Sequence, residues 1–184
     1  MKEPRIRQKA REDRNWLQEV MRNVPGFQGY LEREERRETD RLLRRHLARK
    51  IQRLRGRLDP VMAELTDTGG FAGMGQAAEL DRLNAVLQKL RSEVEHASYG
   101  YSGFFDAVKV HEAELDRLYR FDVALLERVD ELEGAVQRIV DSRDNPEALK
   151  SATDAALRLA REFDEHFAGR CELITAPHDE EEGD

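Results

Sequence analysis

The stretch RLLRRHLARKIQRLRGRLDPVMAEL, residues 41–65, decides the fold. Leu43, Leu47, Ile51, Leu54, Leu58, Val61 and Leu65 recur in it at steps of 4, 4, 3, 4, 3 and 4. That spacing returns each apolar side chain to one face of a helix and is close to a heptad seam. Nearly everything between is charged or polar, so the stripe is narrow and the remaining faces are wet. Asp59-Pro60 interrupts the run. Proline lacks a backbone donor and its ring crowds the preceding turn. Because the seam stays in phase beyond it, the spacing predicts a kinked helix over about residues 31–65. At 1.5 Å per residue it would be about 50 Å long.

The same pattern recurs downstream. Leu80, Leu83, Leu87, Leu90, Val94 and Ala97 predict a helix over about 76–97. Leu115, Leu118, Asp122, Leu125, Val129, Leu132, Val136 and Ile139 predict another over about 106–140, with an aspartate on its seam. Two accounts of Asp122 are open. Register drift could turn Phe121 or Val123 inward instead, and this is favoured. Alternatively a buried carboxylate fixes the pairing register against an arginine of the basic helix. Leu149, Ala152, Ala156, Leu159, Phe163 and Phe167 predict a helix over 146–168. Asp144-Asn145-Pro146-Glu147 is a fitting start for it: a polar cap, then proline in the first turn, then an acid near the helix N-terminus. A weaker basic helix, with Ile6, Ala10, Trp16, Leu17, Val20 and Met21, is expected over 5–22.

Glycines punctuate these segments. A flexible turn is expected over Thr66–Gly75, where four of ten residues are glycine. Two further breaks share the pattern Gly-aromatic-x-Gly-aromatic-apolar, at 26–31 and 100–105. The fold class expected is all-α: an elongated antiparallel helical bundle with coiled-coil-like heptad packing. It has three to four long helices plus an N-terminal helix. The organisation expected is a basic helix and glycine-aromatic turn over 1–30, the bundle over 31–176, and a disordered acidic tail over 177–184.

The chain has 184 residues and a formal net charge of -7, with 38% charged residues. Residues 1–58 hold 18 basic and 9 acidic side chains, a surplus of 9 positive charges. Residues 59–184 hold 13 basic and 29 acidic, a surplus of 16 negative charges. Either the front meets an anionic partner or the two halves neutralise each other. Arginine outnumbers lysine 25 to 6, a bias typical of a GC-rich bacterial genome. No apolar run approaches the ~18 residues of a membrane span, and the N-terminus is charged rather than signal-like. The single Cys171 fits a reducing compartment. A cytoplasmic location is expected, with the membrane surface as the alternative.

Candidate binding residues fall into two groups. Phe27, Tyr30, Tyr99, Tyr101, Phe104 and Phe105 in the glycine-aromatic turns would anchor a protein partner if exposed, or close the end of the core if buried. Arg41, Arg44, Arg45, Arg49, Lys50 and Arg53 belong to a run of eight basic residues, 41–57, without an acid. They would bind an anion, or pair with acidic helix faces such as Glu112, Glu114, Asp116, Glu127, Asp130, Glu131 and Glu133. A di-iron bundle needs Glu-x-x-His on two helices. Glu93–His96 supplies it once, and Glu162–His166 has the wrong spacing. No phosphate-binding loop, dinucleotide fingerprint or nucleophile elbow is present. No cofactor, catalytic residue or small-molecule substrate is therefore expected. The function expected is a non-enzymatic scaffold or protein-interaction module, docking another protein or a second copy. The alternative is a peripheral binder of anionic surfaces, nucleic acid or membrane, through residues 1–57.

Overall fold

A computed structural model describes residues 33–68, 70–97 and 112–175. They form four helices: α1 (Arg33–Thr68), α2 (Gly70–His96), α3 (Glu112–Asp141) and α4 (Pro146–Thr175). The all-α expectation holds for these residues. The helix expected over 5–22, the aromatic turns and the acidic tail lie outside them.

Every residue of the α1 stripe, from Leu43 to Leu65, is buried. So are Leu80, Leu83, Leu87, Leu90 and Val94 of α2, and the α3 stripe from Leu118 to Ile139. On α4, Leu149, Ala152, Ala156, Phe163 and Phe167 are buried, with Leu159 only partly so. Ala48, Leu126, Ala135, Leu157 and Ala160 widen the core beyond the seam, as expected of helices that each meet two neighbours.

Helix α1 runs through Pro60 without ending. The carbonyl that loses its donor belongs to residue 56, four positions earlier. That residue is an exposed glycine, and a Cβ added to it would meet nothing within 4 Å, so the site of the lost bond lies at the surface. The turn expected over 66–75 is much shorter. Helix α1 continues to Thr68 and α2 restarts at Gly70, so most of the glycines form the first turns of α2. Two of them explain the sharpness. Gly70 has a φ of 56°, the left-handed region open to glycine. Gly73 lies against α1 so closely that a Cβ would sit 2.5 Å from the Leu65 carbonyl oxygen.

The α3–α4 turn follows the expected helix start. Asn145 Oδ1 accepts from the Ala148 amide at 3.1 Å, and Pro146 occupies the first helical position. Helix α4 runs past the expected end at residue 168 to Thr175.

Helices α1 and α2 form one antiparallel hairpin and α3 and α4 the other, each packed most closely on its own partner. The square closes through α1–α3 and α2–α4. These side contacts run parallel. Lys50 of α1 meets Asp130 of α3, and Arg57 meets Glu133 further along both helices. Gln76 of α2 donates to the Pro146 carbonyl of α4, and Lys89 meets Asp164. The bundle is thus antiparallel within each hairpin and parallel between them.

Candidate functional site

At one end of the square the apolar seams give way to charge. Arg170 of α4 is fully buried, and Asp40 and Asp122 nearly or fully so. Arg170 Nε donates to Asp122 Oδ1 at 2.6 Å, and its Nη2 to Asp40 Oδ1 at 2.7 Å. Arg44 Nε donates to Asp40 Oδ2 at 2.8 Å, and its Nη1 to the Glu95 carbonyl at 3.2 Å. Two arginines and two aspartates therefore join all four helices, and their formal charges cancel. Such pairs hold only when geometry and hydrogen bonding compensate the loss of water. The favoured account of Asp122, register drift, is overturned: Asp122 is fully buried while Phe121 and Val123 are only partly buried. Its partner among the described residues is Arg170 of α4.

The basic face of α1 divides in two. Toward α3, Lys50 bonds Asp130, and Arg57 reaches Glu133 at 3.8 Å and bonds Gln137. Part of the positive front is thus neutralised by the acidic back. Toward α2, Arg41, Arg44, Arg45, Ala48, Arg49 and Gln52 line a cleft of about 390 Å³, closed on the α2 side by Arg91 and Glu95. Glu95 is paired with Arg91 at 2.9 Å. Of the six expected anion-binding residues, Arg41, Arg44, Arg45 and Arg49 share this cleft. Lys50 turns away from it, and Arg53 is exposed outside it. Arg91, near the C-terminal end of α2, lies outside residues 41–57 and no spacing within that run points to it.

Between the two faces lies His46. It is half-buried, and its Nε2 is enclosed without a hydrogen-bond partner. Burial first, and then the charges of Lys50, Arg49 and Arg53, lower its pKa, with Asp130 opposing them. His166 is lowered as well, by burial and then by Arg128, against Glu162 and Glu165.

The residues weighed for metal chemistry have other partners. Lys89 bridges Glu93 and Asp164 at 3.3 and 3.0 Å, His96 Nδ1 lies 2.8 Å from the Ser92 carbonyl, and Glu162 accepts from Arg128. Among the described residues, no group of three or more His, Cys, Asp or Glu is placed to hold a metal ion. None of the described helices is long and apolar enough to cross a membrane. Phe27, Tyr30, Tyr99, Tyr101, Phe104 and Phe105 lie outside the described residues. Compared with protein-family models, with curated proteins and with solved structures, the chain matches none of them.

Proposed function

We propose that the chain is a non-enzymatic, cytoplasmic interaction module: a helical scaffold that docks another protein or a second copy through charged faces. The observation that carries this reading is the sorting of charge around the bundle. Cations of α1 that face α3 are matched by its acids, whereas those over α2 gather at a cleft with one lining carboxylate. The described apolar side chains are used internally, with Met74 the one large exposed exception. A partner therefore meets charge on the described surface. Steps of three and four along the buried stripes support coiled-coil-like packing of the four helices. The test is affinity purification of the full chain, with and without residues 1–30, alongside light scattering. A captured partner lost on charge reversal of the cleft supports the module. A monomer that captures nothing at physiological salt removes it.

The cleft also favours a second reading, a peripheral binder of anionic surfaces through α1. Flotation with anionic vesicles and filter binding of duplex DNA, each at low and high salt, test it. Salt-insensitive or absent binding in both refutes it.

A further inference from the structure

We propose that the α1–α2 cleft binds a compact polyphosphate group, two or three linked phosphoryls. The proposal rests on the anion-binding reading above and narrows it from an extended surface to a small ligand.

Three features point to that chemistry. The first is shape. The cleft, at about 390 Å³, is concave and of the size of small-ligand sites. Arg41, Arg45 and Arg49 stand one helical turn apart along its α1 wall, a row ~12 Å long at 1.5 Å per residue. Arg91 faces them from α2. A short phosphoryl chain lying between these walls meets guanidinium groups from two directions.

The second is preorganisation. Arg44 at the base is only 8% exposed, and it is held by the Asp40 carboxylate and the Glu95 carbonyl. Arg91 is oriented by Glu95, and Arg49 Nε donates to the Arg45 carbonyl at 3.3 Å. Each guanidinium carries five donors in a planar fork, the geometry that suits bidentate phosphate recognition.

The third is charge. Arg44 is neutralised in the buried network and Arg91 is set against Glu95, so the exposed Arg45 and Arg49 carry a positive surplus at the cleft, in a chain of net charge -7. A multiply charged phosphoryl group answers that surplus better than a single carboxylate. A nucleic-acid backbone would need a long cationic row. Past Arg49 the row runs one more turn, to the exposed Arg53 outside the cleft; Lys50 and Arg57 turn to α3, and Arg55 bonds Asn84 and Gln88 of α2. The lining holds arginine, alanine, glutamine and a paired glutamate, a set that binds an anion rather than transforming it.

The test is isothermal titration of the full chain with sodium tripolyphosphate at two salt concentrations. Arg45→Gln/Arg49→Gln is compared with Arg57→Gln/Arg143→Gln, which removes the same charge elsewhere. Circular dichroism verifies that both variants fold. The expected result is one site per chain, weakened at least tenfold by the cleft pair and less than about threefold by the control pair. Arg45→Lys/Arg49→Lys, which keeps charge but loses the forks, should fall between. Equal losses in both pairs, or no binding at millimolar tripolyphosphate, overturn the proposal. If vesicles or duplex DNA still bind in that second case, the anionic-surface reading survives and only the compact site is lost.

Discussion

Replacing Asp122 by Leu should cost about 3–4 kcal/mol of folding stability. The 2.6 Å bond to Arg170 is short and charge-assisted, and both side chains are 0% exposed. Removing one partner of a buried ion pair leaves an uncompensated charge, which typically costs about 3–5 kcal/mol. The lower part of that range applies because Arg170 keeps its 2.7 Å bond to Asp40. Arg170→Met belongs nearer the upper part, because it strips Asp122 and Asp40 of the same cation. The double variant Asp122→Leu/Arg170→Met replaces the pair by apolar side chains, and Asp40 retains Arg44. It should lose far less than the sum of the singles, giving a coupling of at least ~2 kcal/mol. For a chain of this length each kcal/mol moves the melting temperature by about 2–4 °C, so Asp122→Leu should melt ~6–16 °C low. Urea denaturation of the four proteins in the cycle provides the free energies. Single costs below ~1 kcal/mol, or singles that add within ~0.5 kcal/mol, would show that the network does not hold these helices in place.

Glycine positions offer a contrast that needs no charge. Gly73→Ala forces a Cβ against the Leu65 carbonyl and should cost about 1–3 kcal/mol. Gly75→Ala, in the same helix but in open space, should stabilise by about 0.5–1 kcal/mol. Denaturation midpoints that fall together for both would contradict the close approach of α1 and α2. The lowered pKa of His46 gives a pH effect of definite sign. Below the ordinary histidine value of 6.5 the unfolded chain takes up a proton that the folded one resists. The stability this histidine contributes is thus present above that pH and lost as pH falls toward its folded pKa. His46→Gln should flatten stability against pH in that window, with His166 contributing to the slope that remains. An unchanged slope would remove His46 from the account.

Much of this architecture is legible in the apolar spacing. The stripes of α1, α2 and α3 are the buried faces because a step of three or four residues leaves a helix no other way to hide leucine. What escaped that reading is the continuation of the seams into charge. Asp40 lies three residues before Leu43, and Arg170 three after Phe167, in step with the stripes they extend. A search for apolar periodicity stops at such residues, and the helix then seems to end where its seam turns polar. Asp122 was visible as an exception, yet its partner is 48 residues away on α4 and no local rule pairs them. The cleft was half legible for a similar reason. The arginines of α1 are contiguous in sequence, whereas the opposing Arg91 joins them only through the hairpin. The parallel order of α1 with α3 depends on how two hairpins dock, which no helix encodes by itself.

That order of pairing bears on the path of folding. Each hairpin is local in sequence and can close early. The Asp122–Arg170 bond forms within the second hairpin, but the Asp40–Arg170 bond needs both. A contact made only at docking is absent from a transition state built of separate hairpins. Strengthening it slows unfolding and leaves the folding rate nearly unchanged. The charged end of the bundle is then a latch, setting how long the assembled pair of hairpins stays together rather than how fast it forms.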